Sequence, residues 1–159
     1  MKRNQEELVR SLLADGFSIA KKVSGDSMLP SIPSGVVLQI EPLVQTKPML
    51  GDVVFFETPN GKTTIHRVSL CFRRKSHMWI QTWGDNCQKP DAPVPISKVL
   101  GRITSMQING DWKPLRNNRI LYFHYFITRY GWFYLGKAME KMKRILTGRS
   151  SSSRPIVSG

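Results

Sequence analysis

Short stretches of alternating apolar and polar residues fill most of the first two thirds of the chain, and this period of two predicts β-strands. The predicted strands are residues 17–23, 36–40, 53–57, 62–70, 78–82 and 98–108. Asn60-Gly61 is typical of a hairpin turn, and Gly101 inside the last stretch indicates a bulge or bend. We therefore expect a mainly β domain of about six or seven strands, without the strand–helix alternation of a doubly wound sheet.

A helical pattern occurs at both ends of the chain. At the N-terminus it predicts a short amphipathic helix over residues 4–14, with Asn4 as N-cap and Gly16 as C-cap. Because this helix is short and modestly charged, we expect it to pack on the domain rather than to dock at a membrane. The C-terminal tail also predicts a helix, since eight aromatic residues lie within 118–136 and lysines and arginines follow as far as Arg149.

The tail has two interpretations. His124 and Arg129 interrupt its apolar run, which makes it a poor transmembrane helix. Aromatic rings beside cationic side chains suit the interface of an anionic bilayer, and residues 119–149 would form that contact. The other interpretation is a helix whose rings pack on the β domain. The expected segments are an N-terminal amphipathic helix (1–18), a β-rich domain (19–112), an aromatic and basic helical tail (113–148) and a disordered end (149–159).

Composition and charge narrow the class of protein. The chain has 159 residues, 40% of them hydrophobic, which suffices for one domain with a core. Its net charge of +13 is typical of proteins that bind nucleic acid, anionic lipid or acidic partners. The basic residues crowd between Lys113 and Arg154, so the charge belongs largely to the tail. No nucleic-acid-binding motif is visible, and nucleic acid is not an expected partner.

The cellular location is constrained by the cysteines and the N-terminus. Cys71 and Cys87 have no spacing that demands a disulfide, and we expect thiols in a reducing compartment. No apolar core of sufficient length follows the charged N-terminus before Asp15, so neither a cleaved signal peptide nor an N-terminal membrane anchor is expected. The predicted location is cytoplasmic or peripherally membrane-associated.

The candidate nucleophile is Ser27, in the stretch from Val23 to Pro33. Taken alone, this stretch is an ordinary polar turn. Downstream, His66 lies between apolar residues of a predicted strand, where its neutral form can take a hydroxyl proton near pH 7. Such a base needs a carboxylate to orient it. Asp85 and Asp91 lie on one loop and are the candidates, which the sequence does not rank.

Other side chains are weaker candidates. Lys62 is an alternative base, but it follows a hairpin turn, where it should be solvated and charged. Cys87 has no supporting pattern as a nucleophile, and Asp52 is better explained as part of a turn that starts a strand. His77 and His124 lie at a polar turn and in the tail. No Cys or carboxylate partner lies at metal-ligand spacing from the histidines, so neither a metal nor another cofactor is expected.

Five motifs occur in order along the chain. They are Ser-Gly-Asp-Ser-Met-Leu-Pro (24–30), Gly-Asp-Val-Val-Phe (51–55), Ile-His-Arg-Val (65–68), Gly-Asp-Asn (84–86) with Asp91, and Val-Leu-Gly-Arg-Ile (99–103). Together they resemble the boxes of type I signal peptidases and the related LexA-like self-cleaving proteins, over residues 19–106. The resemblance implies a serine peptidase on a folded β-sheet, and in the signal-peptidase branch a preference for small residues before the cleaved bond.

The branch is indicated by His66, which stands where bacterial signal peptidases carry lysine. This is similar to the archaeal and endoplasmic-reticulum branch, in which Ser, His and Asp act together. On that resemblance Ser27 is the nucleophile, His66 the base, and Asp85 with Asp91 the loop carboxylates.

The serine motif departs from the signal-peptidase pattern at two positions. Asp26 is inserted before Ser27, and Gly25 stands where many bacterial members carry an oxyanion-hole hydroxyl. The Ser27 N–H, with Ser24, would then supply this hole. One missing donor typically costs about 10²–10³ in rate, which suggests a slow or specialised peptidase.

The expected function is a serine endopeptidase that removes a leader or signal segment from a polypeptide substrate. The alternative is a LexA-like self-cleaving or non-catalytic regulatory domain with a membrane- or nucleic-acid-binding basic tail. Residues 1–18 are too short for a helix-turn-helix domain, and no Ala-Gly pair precedes Ser27, so this alternative is less favoured.

Overall fold

A computed structural model describes residues 2–43, 46–115 and 119–146, which form one antiparallel sheet of eight strands and two α-helices. The elements are α1 (Lys2–Ala14), β1 (Ile19–Lys22), β2 (Val37–Pro42), β3 (Val53–Glu57), β4 (Thr63–Arg74), β5 (His77–Trp83), β6 (Val94–Pro95), a 3-10 helix (Ile96–Lys98), β7 (Val99–Ile108), β8 (Asp111–Pro114) and α2 (Arg119–Leu146). The predicted mainly β class is confirmed. The two additional strands, β6 and β8, are short, with two and four residues.

The N-terminal helix begins earlier than its sequence pattern indicates. Because α1 starts at Lys2, Asn4 lies within the helix, and its prediction as N-cap is wrong. The other end agrees with expectation: Gly16 has a positive φ of 88°, and its N–H bonds the Leu13 carbonyl at 3.2 Å. The predicted disordered end, 149–159, lies outside the described residues.

The order of strands in the sheet is β1-β2-β7-β3-β4-β5-β6, and β8 pairs with β7. The central strand β7 joins the two halves, since β2 and β3 both pair with it. The register shifts at Phe55/Phe56, opposite Gly101, where a bulge or bend was predicted. A Cβ atom on Gly101 would lie only 2.7 Å from Ile40 Cγ2 and 2.8 Å from the Glu41 carbonyl oxygen, so glycine permits this close approach.

Strand β3 contributes to two hydrophobic cores because successive side chains point to opposite faces of a sheet. Val53 and Phe55 belong to a first core, which also includes residues of α1, the Ser27 turn, β2 and β7. Val54 and Phe56 belong to a second core with residues of β4, β5 and β6. Four consecutive buried residues therefore fix β3 firmly, and with it the neighbouring strand β4 that carries His66.

An ion pair network connects α1 to the end of β3. Arg10 donates a hydrogen bond to the Glu57 carboxylate, and Lys98 Nζ donates another to Glu57 Oε1 at 2.9 Å. These bonds, that of Arg10 first, hold the pKa of the Glu57 carboxyl below its ordinary value of 4.5. The unfolded chain therefore binds a proton here at a higher pH than the folded chain does.

Glu57→Gln should lower the free energy of unfolding at pH 7 by about 0.5–1 kcal/mol, a small value because both cations reach solvent. The stabilisation is fully present above the ordinary pKa and is lost as pH falls through the lowered folded value. Urea unfolding of both proteins at pH 7 and in acid should show the difference shrinking on acidification. A difference that grows in acid would contradict this assignment.

The described residues separate into two compact units, with the division between residues 123 and 124. The first contains the whole sheet and α1, and the second contains most of α2. No helix among the described residues is both long and apolar enough to span a membrane. The division into segments 1–18, 19–112, 113–148 and 149–159 stays a prediction.

Candidate active site

Ser27 lies in a turn that follows β1, and residues of this turn are buried in the first core. Its neighbour Met28 and the nearby Ile32 are buried, and the Ile32 N–H bonds the Met28 carbonyl at 2.9 Å. Ser27 itself is half-buried. Gly25, just before it, has a φ of 106°, a conformation that favours glycine. The turn thus presents the serine from a rigid, core-anchored segment.

The loop after β5 is tied directly to this turn. The Asn86 N–H donates to the Ser27 carbonyl at 2.8 Å, and the Asn86 side-chain amide donates to the Asp26 carbonyl at 3.1 Å. The loop is closed on itself by the Cys87 N–H, which bonds the Gly84 carbonyl at 2.9 Å. The Gly-Asp-Asn motif and the serine motif, distant in sequence, therefore meet.

His66 lies near the start of β4, opposite Val54 of β3, and is almost completely buried. Its Nδ1 is 2.7 Å from Asp91 Oδ2. Since a carboxylate accepts hydrogen bonds, this contact favours the tautomer with the proton on Nδ1, which leaves Nε2 as the basic nitrogen. Asp91 is held in turn by Thr82, whose hydroxyl donates to the same Oδ2 at 2.6 Å.

The surroundings of Gly84 show which atoms lie near His66 Nε2. A Cβ atom on Gly84 would lie 2.9 Å from His66 Nε2, 2.7 Å from the Ser27 carbonyl oxygen and 2.6 Å from Cys87 Sγ. His66 Nε2 and the backbone of Ser27 therefore border one small space, and glycine is needed to leave it open. The structure brings Ser27, His66 and Asp91 to one site.

Gly84→Ala should lower kcat/KM by at least about 100-fold, because a methyl group must displace the His66 ring or the Ser27 turn, and small misplacements of reacting groups are costly. Gly131→Ala is the matched control, since a Cβ there meets nothing within 4 Å. Peptide-cleavage kinetics on folded protein check this. Equal activity of both variants would mean that the space at Gly84 does not matter for cleavage.

Asp85 occupies a different place from Asp91. Its carboxylate accepts two hydrogen bonds from Arg67, at 2.9 and 2.8 Å, and both side chains are buried. Arg67 also donates to the Gly51 carbonyl at 3.0 Å, and its guanidinium lies over the Tyr122 ring, 4.0 Å from the centroid. His66 and Arg67 are consecutive in β4 and point to opposite faces, so each takes one of the two loop aspartates.

Among the weaker candidates, Cys87 has its Sγ at the space beside Gly84, and the others lie away from it or serve other roles. Lys62 is exposed, as predicted from its hairpin position. Asp52 is buried and accepts the Met49 N–H at 2.9 Å, which agrees with a turn at the start of β3. His77 is exposed beside Ser76, and His124 is exposed in α2. In the described parts of the chain, no cluster of three or more His, Cys, Asp or Glu could hold a metal ion.

A groove of about 280 Å³ runs past Ser27. One wall is the end of β1 with the following turn, and the other is Thr63–Ile65 at the start of β4. These walls are strand edges: among the described strands β1 pairs only with β2, and the pairing of β4 with β5 begins at Arg67. Its floor is apolar and includes Met28, Leu38 and Phe55. An extended peptide can hydrogen-bond to such edges.

Three residues of the site were not assigned a role from sequence. Arg67 could have been found from strand alternation, which predicts that the residue after His66 faces away from it. The sequence marks Gly84 only as the first residue of the Gly-Asp-Asn motif and Thr82 only as the end of a predicted strand, because the importance of both depends on which loop lies against them.

A buried histidine bonded to a partly exposed aspartate, beside a core-anchored serine on an antiparallel sheet, is the arrangement expected of a serine-peptidase type of domain. A family model described as Peptidase S24-like matches residues 3–104, more than half of the chain. The chain therefore belongs to this family, and the resemblance noted from its motifs is confirmed at the level of the LexA-like and signal-peptidase serine peptidases. No curated protein matches the chain.

Proposed function

We propose that this protein is a serine endopeptidase in which Ser27, His66 and Asp91 form the catalytic triad. Membership of the family supports a serine peptidase in general, and the family also has non-catalytic members. The observation that carries the proposal is the 2.7 Å contact between His66 Nδ1 and Asp91 Oδ2, with His66 Nε2 bordering the same space as Ser27.

In the proposed mechanism, Ser27 Oγ attacks the peptide carbonyl while His66 Nε2 takes its proton. Asp91 keeps the proton of His66 on Nδ1 and stabilises the imidazolium that forms. His66 then gives the proton to the leaving amine, and an acyl-enzyme remains on Ser27. Water, deprotonated by His66, attacks the ester and releases the carboxylic acid. The backbone N–H of Ser27 is the proposed oxyanion donor.

The groove supports a substrate that binds in extended form. Strand addition to β1 and to residues 63–65 would supply backbone hydrogen bonds without regard to sequence, and the side chains facing the floor would determine selectivity. Next to Ser27 that floor is already filled by Met28 and Phe55. We propose that residues before the cleaved bond are small and that the substrate is a polypeptide with a leader or signal segment.

Cleavage of synthetic leader peptides tests this function. A peptide with an apolar stretch followed by alanines should be cut after a small residue, and replacing that residue by Phe should lower kcat/KM by about 100-fold or more. Mass spectrometry of the products locates the bond, and Ser27→Ala protein is the control for contaminating proteases. Cleavage that ignores the residue before the bond would overturn the proposed specificity. Products that also form with the control protein would overturn the enzyme assignment.

A further inference from the structure

The helix α2 exposes an apolar stripe that the proposed peptidase function does not use. Trp132, Leu135, Met139 and Met142 are each more than half exposed. Their spacing of three, four and three residues places them within about 80° of one another around the helix axis. Large apolar side chains gathered on one face of a solvent-exposed helix are costly in water and mark a contact surface.

The charges of α2 lie mainly away from this stripe. Lys137, Lys141 and Arg144 fall on the opposite side, and Arg129 and Lys143 fall beside the stripe. Glu140 is the single acidic residue between 124 and 146. Toward the N-terminal end of α2, Phe126, Tyr130 and Phe133 share that opposite side, and Phe126 is buried. From Lys137 onward the opposite side is rich in Lys and Arg, and an apolar face set against such a cationic face is typical of a helix that lies in the plane of a membrane interface.

We propose that α2 docks on an anionic lipid bilayer, with this stripe in the acyl-chain boundary and the cations at the lipid phosphates. The positive charge of α2 argues against a second copy of the chain as the partner that covers the stripe. The stripe also has the spacing of a coiled-coil seam, but the flanking positions hold Arg129, Gly136 and Lys143, which offer no acidic partner to a like-charged helix. Phosphates of a nucleic acid would leave the stripe in water, whereas a bilayer buries it.

Vesicle binding of the full chain tests the proposal. Binding to phosphatidylcholine vesicles with about one third phosphatidylglycerol should exceed binding to pure phosphatidylcholine by at least about ten-fold and weaken in salt. The double variant Leu135→Ser/Met139→Ser should lose at least about ten-fold in binding. Ile127→Ser/Tyr134→Ser removes two equally exposed apolar side chains outside the stripe and should change binding by less than about two-fold.

Circular dichroism of both double variants should show equal helix content. Lost binding then results from the missing apolar side chains of the stripe and not from unfolding of the helix. Four outcomes would overturn the proposal: equal binding to neutral and anionic vesicles, equal loss in the two double variants, salt-dependent binding to DNA without vesicle binding, or a dimer that Leu135→Ser/Met139→Ser dissociates. Because Ser27 takes no part, Ser27→Ala protein should bind vesicles as the natural chain does, which separates this result from that of the peptidase assay.

Discussion

Ser27→Ala should lower kcat/KM for a leader peptide by about 10⁶-fold, the size of the effect when a serine peptidase loses its nucleophile. His66→Ala should cause a loss of similar size, because nucleophile and base act as one unit and their effects are not additive. The double variant should therefore be no worse than either single variant. Single-turnover cleavage, with product measured over hours, can detect cleavage rates that are lower by these factors.

The His66 variants need a control for folding. His66 is buried and bonded to Asp91, so a cavity with an orphaned carboxylate could unfold the site. His66→Gln keeps an N–H donor of similar reach and lacks a basic nitrogen, so it should stay folded and inactive. Thermal unfolding measured by circular dichroism checks the first point. Substantial cleavage by folded His66→Gln protein would show that His66 is not the base.

Asp91→Asn should lower kcat/KM by about 10⁴-fold with little change in stability. An amide can donate a hydrogen bond to Nδ1, which places the imidazole proton on Nε2 and removes the basic nitrogen from the side facing Ser27. In the natural protein the Thr82 hydroxyl contacts the same Asp91 oxygen as His66 does, and the second N–H of the amide can donate to this hydroxyl, so the loop should keep its position. Cleavage kinetics and thermal unfolding of the same preparation separate catalysis from folding.

Asp85→Asn is the matched comparison, because it makes the same chemical change on the same loop. It leaves the buried Arg67 without its ionised partner and should lower the free energy of unfolding by about 2–4 kcal/mol. The surviving folded protein should retain most of its activity, since Asp85 bonds Arg67 and not His66. The reverse pattern, with an inactive but stable Asp85→Asn and an active Asp91→Asn, would exchange the roles of the two aspartates.

The strands were predicted well where one face is buried and the other is not. Alternation identified β1, β2, β4, β5 and β7 to within a few residues, because a period of two follows from the geometry of a strand. The continuous apolar run at 53–56 identified β3, which is buried on both faces. Alternation missed β8, whose residues are all exposed, and β6, which has two residues. Neither strand has enough length or contrast between its faces to produce a pattern.

The sequence by itself determined the β class and the order of the five motifs. It also identified Ser27 as the candidate nucleophile and His66 as the candidate base, because motifs and periodicity are local properties. The tertiary structure decided how the two loop aspartates divide between His66 and Arg67, since that depends on strand register and on how the loop closes. It also decided the meaning of Gly84. A glycine after a strand is ordinary until Ser27 and His66 are seen to border the space that its missing side chain leaves open.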